Sequence, residues 1–300
     1  MHEFLQQLIN GVSLGAIYAL IALGYSMVYG LLKFINFAHG DVLMVGAFAG
    51  FYAAPMAVRL LPDPWMTTAA VLLWAMVVCA LLGVVIERLA YRPLRNQPKL
   101  AVLITSIGVS LLLSYGGQIL FGVNQKAFPD LLPPIRISLG AGVTVSGNHL
   151  LVMAVTLALL IGLREVVLRT RFGLALRALS QNRDAAALMG VDSNAVISLT
   201  FALGSALAGA AGVLYALNIH SIEPLMGTLP GIKAFVAAVL GGIGSLPGAA
   251  VGGVLLGLCE SLLGGSFLSS YRDAIAFGLL IGILLIRPSG IFGSSATEKV

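Results

Sequence analysis

Charged residues are scarce in this chain. They make up 10% of its 300 residues, and 59% of the residues are hydrophobic. A soluble domain carries roughly 25% charged residues, and one soluble core cannot bury this much apolar surface. The mean hydropathy of +1.00 instead fits a chain whose solvent is lipid. The basic residues lie in loops between apolar runs, so the net charge of +5 does not indicate nucleic-acid binding.

Cysteines and catalytic motifs are also few. Cys79 and Cys259 lie in apolar runs, outside any CxxC pair or His cluster, and are expected to be small buried side chains. The four histidines form no HExxH motif, and no GxxxxGK[ST] sequence occurs. These absences predict no metal site, no cofactor bound by the chain and no catalytic residue. They also predict that the chain does not hydrolyse ATP through a P-loop.

Long stretches without Asp, Glu, Lys or Arg predict the membrane spans. The stretches run between Glu3 and Lys33, Asp63 and Glu87, Lys99 and Lys126, Arg136 and Arg164, and Asp192 and Glu223. Each is long enough for the roughly 20 apolar residues that a spanning helix needs. We predict helices near residues 7–30, 38–58, 66–88, 100–121, 148–168, 193–218, 232–243, 247–264 and 272–287.

The predicted fold is therefore an all-α polytopic membrane protein with one domain over residues 1–300. The short 232–243 segment leaves eight or nine crossings open. Alternation of apolar and polar residues at 135–139 predicts a small hairpin between two spans. Glycine is abundant, at 36 residues, and small residues let membrane helices approach closely. Packing faces are expected at Ala206, Gly209, Ala210, Gly212, Gly248, Gly252, Gly253 and Gly257.

Clusters of Lys and Arg predict the orientation. One cluster is Arg88, Arg92, Arg95 and Lys99, and the other is Arg164, Arg169, Arg171, Arg177 and Arg183. Positive loops favour the cytoplasm, and two predicted helices separate the clusters, so both are expected there. The N-terminus is then outside, and nine crossings put the C-terminus, with Arg287 and Lys299, inside.

Two interruptions break the hydrophobic pattern, one in each half of the chain. They are Phe34-Ile-Asn-Phe-Ala-His-Gly-Asp41 and Gly241-Gly-Ile-Gly-Ser-Leu-Pro-Gly248. Paired breaks indicate inverted repeats around a midplane pathway, whereas the simpler alternative is two tight turns at the membrane surface. If they line a pathway, the candidate residues are Asn36, Phe37, His39, Gly40, Gly241, Gly242, Gly244 and Ser245.

Few ionisable residues fall within the predicted spans, and each is a functional candidate for that reason. His39 fits a turn residue or a transport role equally well. Asp41 and Lys233 lie near span ends, where a side chain can reach the interface. Glu260 is expected near the outer surface, beside Ser261. The scarcity of intramembrane carboxylates argues against a carrier driven by a proton or sodium gradient.

The loop at 169–192 contains a predicted helix over residues 176–190. Leu176, Leu179, Arg183, Ala186 and Gly190 recur at helical spacing, and Gly190 suits a C-terminal cap. Such a helix either lies in the lipid interface or docks into a groove on a partner protein. Its small Ala-rich face favours docking.

Several motifs resemble, in order, the permease subunits of bacterial branched-chain amino acid ABC importers. They are Gly24-Tyr-Ser-Met-Val-Tyr-Gly30 with Ile35-Asn-Phe-Ala-His-Gly-Asp41, Ile86-Glu-Arg-Leu-Ala-Tyr-Arg-Pro-Leu-Arg95, Leu199-Thr-Phe-Ala-Leu-Gly204, Lys233-Ala-Phe-Val-Ala-Ala-Val-Leu-Gly-Gly-Ile-Gly-Ser-Leu-Pro-Gly248 and Arg287-Pro-Ser-Gly-Ile291. The resemblance covers essentially the whole chain and is strongest to the shorter, H-type permease. Permeases of urea or amide importers share much of the pattern and are an alternative. A gradient-driven carrier and a channel or structural membrane protein are the remaining alternatives.

The resemblance implies a type II-like importer permease in a five-part assembly in the inner membrane. Its partners would be a second homologous permease, two cytoplasmic ATP-binding subunits, which hydrolyse the ATP, and a periplasmic substrate-binding protein. The 169–192 loop would be the coupling loop, which transmits closure of the ATPases to the spans. The residues assigned to coupling are Arg177, Leu179, Arg183, Ala186, Leu188 and Gly190.

Overall fold

The chain folds as a bundle of eleven α-helices with four very short strands in the part that the structure describes. The computed structural model describes residues 2–95, 97–138, 143–265, 269–287 and 289–293. Lys299, which contributed to the expected orientation, lies outside these residues. The prediction of an all-α polytopic membrane protein is confirmed.

The helices follow the predicted spans closely. They are α1 (His2–Leu32), α2 (His39–Leu60), α3 (Pro64–Ile86), α4 (Lys99–Phe121), α5 (Gly147–Arg169), α6 (Arg171–Gln181), α7 (Arg183–Leu188), α8 (Ser193–Ile219), α9 (Thr228–Gly241), α10 (Leu246–Gly264) and α11 (Arg272–Ile286). A π-helical turn (Glu87–Tyr91) and a 3₁₀ turn (Arg92–Leu94) extend α3, and a further 3₁₀ turn (Ser269–Tyr271) precedes α11. Within the described residues, seven helices are long and apolar enough to cross a membrane, whereas α9 has only 14 residues.

Side-chain caps fix several of the helix starts. Asp63 accepts a hydrogen bond from the backbone N–H of Trp65 and is followed by Pro64 in the first turn of α3. Asp192 caps α8 in the same way, and Ser245 caps α10. A capping side chain satisfies an N–H group that the helix leaves unpaired. These local signals explain why the predicted boundaries agree with the structure.

Helix α1 forms the centre of the bundle. In its most apolar part 89% of residues are buried, against 22% in α4. It packs against α10, α8, α9 and α5, while α2 and α3 pack on the other side of α8. The apolar side chains of α4 point largely outward, so α4 offers its surface to lipid or to a partner.

Glycines bring the central helices into close contact, as predicted. A Cβ atom added at Gly46 of α2 would lie 2.6 Å from the Cα of Gly209 on α8. One added at Gly15 of α1 would lie 2.7 Å from the Cα of Val254 on α10. Even a methyl group would collide with backbone at these crossings. The helices can pack at this distance because at least one of the two facing residues at each crossing is glycine.

The strands pair the loops at one end of the bundle. β2 (Arg136–Ser138) pairs with β3 (Thr144–Ser146), which confirms the predicted hairpin, and β1 (Lys126–Ala127) pairs with β4 (Ser221–Ile222). The backbone N–H of Thr144 donates to the side chain of Gln6, near the start of α1. The start of α1 therefore lies on the same face as the α4–α5 connection. The α6–α7 segment lies at the opposite end of α8.

The single helix predicted over 176–190 is wrong, because the segment forms two helices. Asn182 has extended backbone angles, φ −151° and ψ 111°, and its side chain accepts a hydrogen bond from the N–H of Ala185. Asn favours such capping positions over helix interiors because its side chain competes for backbone groups. Helix α6 therefore ends at Gln181, and α7 begins anew.

Candidate functional site

The first break lies inside the bundle. Helix α1 ends at Leu32, Lys33 adopts a positive φ of 56°, and α2 does not begin until His39. His39 lies beside Gly24 of α1, well before that helix ends. The chain therefore turns back into the bundle before α2 starts. This geometry favours the pathway interpretation over a tight turn at the surface.

Asn36 and His39 connect the first break to side chains of neighbouring helical segments. The hydroxyl of Tyr91 donates to Oδ1 of the buried Asn36 at 2.5 Å. His39 is 1% exposed and packs edge-on against the ring of Tyr25, with centroids 4.7 Å apart. Its Nε2 atom has no hydrogen-bond partner in the described part of the chain and faces Gly24, where a side chain would collide with it. Both residues hold the turn in place.

The start of α9 meets the start of α2 at this break. A Cβ atom added at Gly40 would lie 2.5 Å from the carbonyl oxygen of Gly227 and 3.0 Å from the Cα of Gly231. Helix α9 has no side-chain cap at Gly227. The positive ends of two helix dipoles thus come together deep in the structure.

A cavity of about 300 Å³ opens where these two helices meet. The first break contributes Phe37 and Gly40 to its wall, so the structure brings two of the four first-break candidates together. Its lining residues are Tyr25, Phe37, Gly40, Asp41, Ile107, Ser110, Gly227, Thr228, Gly231, Ile232 and Phe235. The wall is apolar and aromatic with a few polar groups, as in most small-molecule sites.

Asp41 supplies the carboxylate of this cavity. The residue is 3% exposed and lies in the first turn of α2. Its two oxygens accept hydrogen bonds from Ser110, at 2.5 Å, and from Ser114, at 2.6 Å, both on α4. Asp41 therefore stays within the bundle, although its position near a span end was compatible with a side chain reaching the interface.

The second break lies apart from the cavity. Its four candidates, Gly241, Gly242, Gly244 and Ser245, are not among the described residues that line the cavity. The N–H of Phe292 donates to the carbonyl of Gly241, and Gly242 packs against Gly290 and Gly293. A Cβ atom at Gly30 of α1 would lie 3.7 Å from Gly244. Their part in a pathway stays a prediction.

Lys233 and Glu260 form a buried ion pair. The next residue, Ser261, donates to the backbone carbonyl of Gln7 near the start of α1, so the expected depth of Glu260 near the outer surface stays a prediction, although its side chain does not reach the interface. The Nζ atom of Lys233 lies 2.6 Å from the carboxylate of Glu260 and 2.7 Å from that of Asp273. Tyr18 donates to the other Glu260 oxygen at 2.8 Å. Lys233 and Glu260 are each 6% exposed, so Lys233 does not extend to the interface either. A counter-charge 27 residues away in the sequence makes this burial possible.

A third buried carboxylate, Glu87, holds the end of α3. Glu87 is fully buried and accepts hydrogen bonds from Arg92, Arg95 and Ser198 of α8. Burial lowers the pKa of the Arg95 guanidinium, while Glu87 acts in the opposite direction. The network fixes the π-helical turn from which Tyr91 reaches Asn36.

A cavity of about 330 Å³ connects the first break to the α6–α7 segment. Phe34 and Tyr91 line one side of it, and Leu179 and Arg183 line the other. Two of the residues assigned to coupling therefore lie close to the residues that support the break. The cavity thus lies between the α6–α7 segment and the end of α1.

The other residues assigned to coupling face different ways. Arg177 donates to the carbonyl of Val167 on α5, and Ala186 is 5% exposed. Leu188 is 88% exposed, and Gly190 ends the segment with φ +82°. Ala186 thus faces this chain, not a partner, so the Ala-rich face predicted to dock points partly inward. Leu188 and its neighbour Met189, which is 85% exposed, form the projecting apolar tip.

Most residues in the cavity wall could not be recognised from the sequence pattern. Asp41 was indicated by its charge, but Ser110, Ile107, Ile232 and Phe235 lie in ordinary apolar helices. The sequence Gly11-Val-Ser-Leu-Gly15 matches GxSxG but lies within α1, without the strand–turn–helix that the motif needs. Among the described residues no three His, Cys, Asp or Glu side chains come together to hold a metal ion.

Similarity to known proteins extends over the whole chain. Residues 7–284 match the family described as the permease component of branched-chain amino acid transport systems. BraD of Pseudomonas aeruginosa, a high-affinity branched-chain amino acid transport system permease protein, is 44% identical over 100% of this chain and 99% of BraD. LivH of Escherichia coli, which carries the same description, is 40% identical over 99% and 98% of the two chains. The ribose import permease protein RbsC of Haemophilus influenzae is 26% identical over 89% of this chain and 80% of its own.

Proposed function

Because the chain belongs to the family of permease components of branched-chain amino acid transport systems, we propose that it forms part of the path by which an ATP-driven importer moves branched-chain amino acids. As a permease it is a multi-pass protein of the bacterial inner membrane and not an enzyme. The observation that carries the proposal is the cavity at the first break. It combines aromatic and aliphatic walls with the carboxylate of Asp41 inside an apolar bundle.

The proposed path runs past Phe37 and Gly40 between this chain and a second homologous permease. The outward-facing apolar surface of α4 supports such a neighbour, because the cavity opens beside it. The uncapped start of α9 offers backbone N–H groups to a passing carboxylate. Gly241, Gly242, Gly244 and Ser245 would line a later part of the path.

We propose nine crossings, with the N-terminus outside and the C-terminus in the cytoplasm. The short helices α9 and α11 would add two crossings to those of the seven long helices. The basic residues at the ends of α3 and α5 support this orientation, since they lie at the same end as α6 and α7. The two chain breaks motivate a type II-like fold with inverted-repeat character.

The α6–α7 segment is the proposed contact with two cytoplasmic ATP-binding subunits. Leu188 and Met189 project as an apolar tip, which suits a groove on a partner. ATP binding and hydrolysis there would move α6 and α7. Leu179 and Arg183 line the same cavity as Phe34, so these residues would transmit the movement to the first break. A periplasmic binding protein would deliver the amino acid to the opposite face.

Uptake into proteoliposomes containing all five parts tests the function. We expect leucine uptake that requires ATP and the binding protein and that continues when an uncoupler removes ion gradients. Uptake that persists without the ATP-binding subunits, or that the uncoupler abolishes while ATP is constant, would contradict the proposal and favour a gradient-driven carrier. Urea uptake by the same assembly, without leucine uptake, would support the urea or amide alternative.

The Leu188→Arg variant tests the coupling contact. We expect this variant to lose association with the ATP-binding subunits during purification, because a charge replaces the exposed apolar tip. Leu225→Arg is the matched control, since Leu225 is 50% exposed in the connection beyond the other end of α8. Equal retention of the ATP-binding subunits by both variants would exclude docking through this tip.

A further inference from the structure

Asp41 differs from the other buried acidic residues in its partners. Glu87 is paired with two arginines, and Glu260 is paired with Lys233. In the described part of the chain no cation pairs with Asp41, whose oxygens receive the hydroxyls of Ser110 and Ser114 and its own backbone N–H. A carboxylate offers about four acceptor positions, so roughly one remains free. Asp41 is therefore a buried carboxylate that can still accept a hydrogen bond.

A lone ionised carboxylate away from water is costly unless a charge or strong donors compensate it. The first turn of α2 helps, because the positive end of the helix dipole favours a negative group there. The two serine hydroxyls are neutral donors, so they do not cancel the charge. The cavity beside Asp41 has room for a compensating cation of small size.

The remainder of the cavity wall defines what kind of cation fits. Phe37 and Phe235 have ring centroids 6.4 Å apart, and Ile107 and Ile232 add aliphatic surface. A hydrated metal ion gains nothing from such walls. An organic cation with a short apolar body can place its charge at Asp41 and its body against the rings.

We propose that Asp41, positioned by Ser110 and Ser114, binds the ammonium group of the cargo in this cavity. The inference rests on the proposed transport function and adds a specificity-determining residue to it. The ammonium group donates to the remaining acceptor position of the carboxylate, and the apolar body lies against Phe37 and Phe235. The cavity consequently selects primary ammonium compounds over neutral amides and over carboxylates that lack an amine.

The test is protection of a cysteine in the cavity wall of the complete importer. Ile232→Cys is introduced after Cys79→Ala and Cys259→Ser, and its reaction with a maleimide is timed in detergent without the binding protein or ATP. Four compounds that share the isobutyl group of leucine are added at millimolar concentration: leucine, 3-methylbutylamine, 4-methylpentanoate and 4-methylpentanamide. We expect the two amines to slow labelling and the other two compounds to have little effect, because one hydrogen bond to a charged group changes the affinity by about tenfold or more.

Asp41→Asn should abolish the protection by both amines, whereas Asp63→Asn should not. Asp63 is the matched control because it caps α3 at an exposed position and Asn caps equally well. The four compounds are compared in the importer with Asp41 intact. Their relative protection therefore tests the proposal even if the Asp41→Asn variant does not assemble.

Equal protection by all four compounds, protection that survives Asp41→Asn, or no protection by any of them would overturn the ammonium site. Leucine uptake by the assembly with Asp41 intact distinguishes failure of the ammonium site from failure of the proposed transport function. Normal uptake without amine-specific protection rejects only the site. Absence of uptake rejects the proposed function itself.

Discussion

At the scale of single residues, each buried carboxylate of this chain has a different set of partners. Glu87 joins the end of α3 to α8 through arginine and serine, and Glu260 joins α10 to α9 and α1 through Lys233 and Tyr18. Asp41 has serine hydroxyls on α4 and its own backbone N–H, all of them neutral donors. The first two carboxylates are compensated within the chain and serve structure. The third is incompletely compensated and lies in the wall of a cavity.

The difference predicts how charge removal affects stability. Glu260→Gln leaves Lys233 buried without a full counter-charge, since the Asp273 side chain is partly exposed. Removing one partner of a buried pair costs about 3–5 kcal/mol. We expect a markedly lower melting temperature for the detergent-purified importer, measured by size-exclusion chromatography after heating.

Glu165→Gln is the matched control for this prediction. Glu165 pairs with Arg169 on the surface of α5, where the arginine side chain is 80% exposed, so its loss should change the melting temperature little. Replacing both Lys233 and Glu260 by neutral residues should recover part of the lost stability. Equal melting temperatures for the two single variants would show that the buried pair is not needed for the fold.

At the scale of helices, glycines allow the close helix contacts that form the cavity at the first break. Gly40, Gly227 and Gly231 let the starts of α2 and α9 touch, which places both positive helix ends beside one cavity. Gly46 and Gly209 likewise let α2 and α8 come into close contact where they cross. Close crossings hold α2 in position, and the position of α2 sets that of Gly40 and Asp41.

The Gly46→Ala variant tests this crossing. The added Cβ atom would lie 2.6 Å from the Cα of Gly209, so α2 must move away from α8. Overpacking of this kind costs about 1–3 kcal/mol. We expect a lower melting temperature together with reduced leucine uptake.

Gly162→Ala is the control, because no atom lies within 4 Å of an added Cβ atom at this exposed position of α5. Alanine favours helix over glycine, so this variant should be unchanged or slightly more stable. A Gly46→Ala variant that is as stable as Gly162→Ala would mean that α2 and α8 can separate without cost.

At the scale of the whole molecule, the two ends of the bundle differ in charge and contacts. Gln6 and the strand at Thr144 share one end, whereas the basic loops and α6–α7 share the other. Because the basic loops all lie at one end of the bundle, the positive-inside rule predicts the side of the membrane for every loop. The end with Leu188 should face the cytoplasm.

Cysteine labelling in whole cells tests the orientation. In the cysteine-free background, Thr144→Cys should react with a membrane-impermeant maleimide added outside. Asp184→Cys should react only after the membrane is permeabilised; both positions are exposed. The reverse pattern would invert the proposed topology and remove α7 from reach of the ATP-binding subunits.

The sequence by itself determined the class of protein and most of the helix boundaries. Uncharged runs predict spans because lipid offers no partner for backbone or charge, and this constraint acts locally along the chain. The pattern of Leu199–Gly204 and similar motifs indicated the family. Capping residues such as Asp63 fixed helix starts through contacts only two or three residues away.

Only the tertiary structure decided which residues share a site. The burial of Glu260 depends on Lys233, and the wall around Asp41 combines α1, α2, α4 and α9. These contacts depend on how helices cross, and no periodic pattern within one helix records the crossing partner. Packing therefore brought Asp41 and Ser110 together and kept Gly241 apart from them. The sequence identified the first break, and the fold made it part of a cavity.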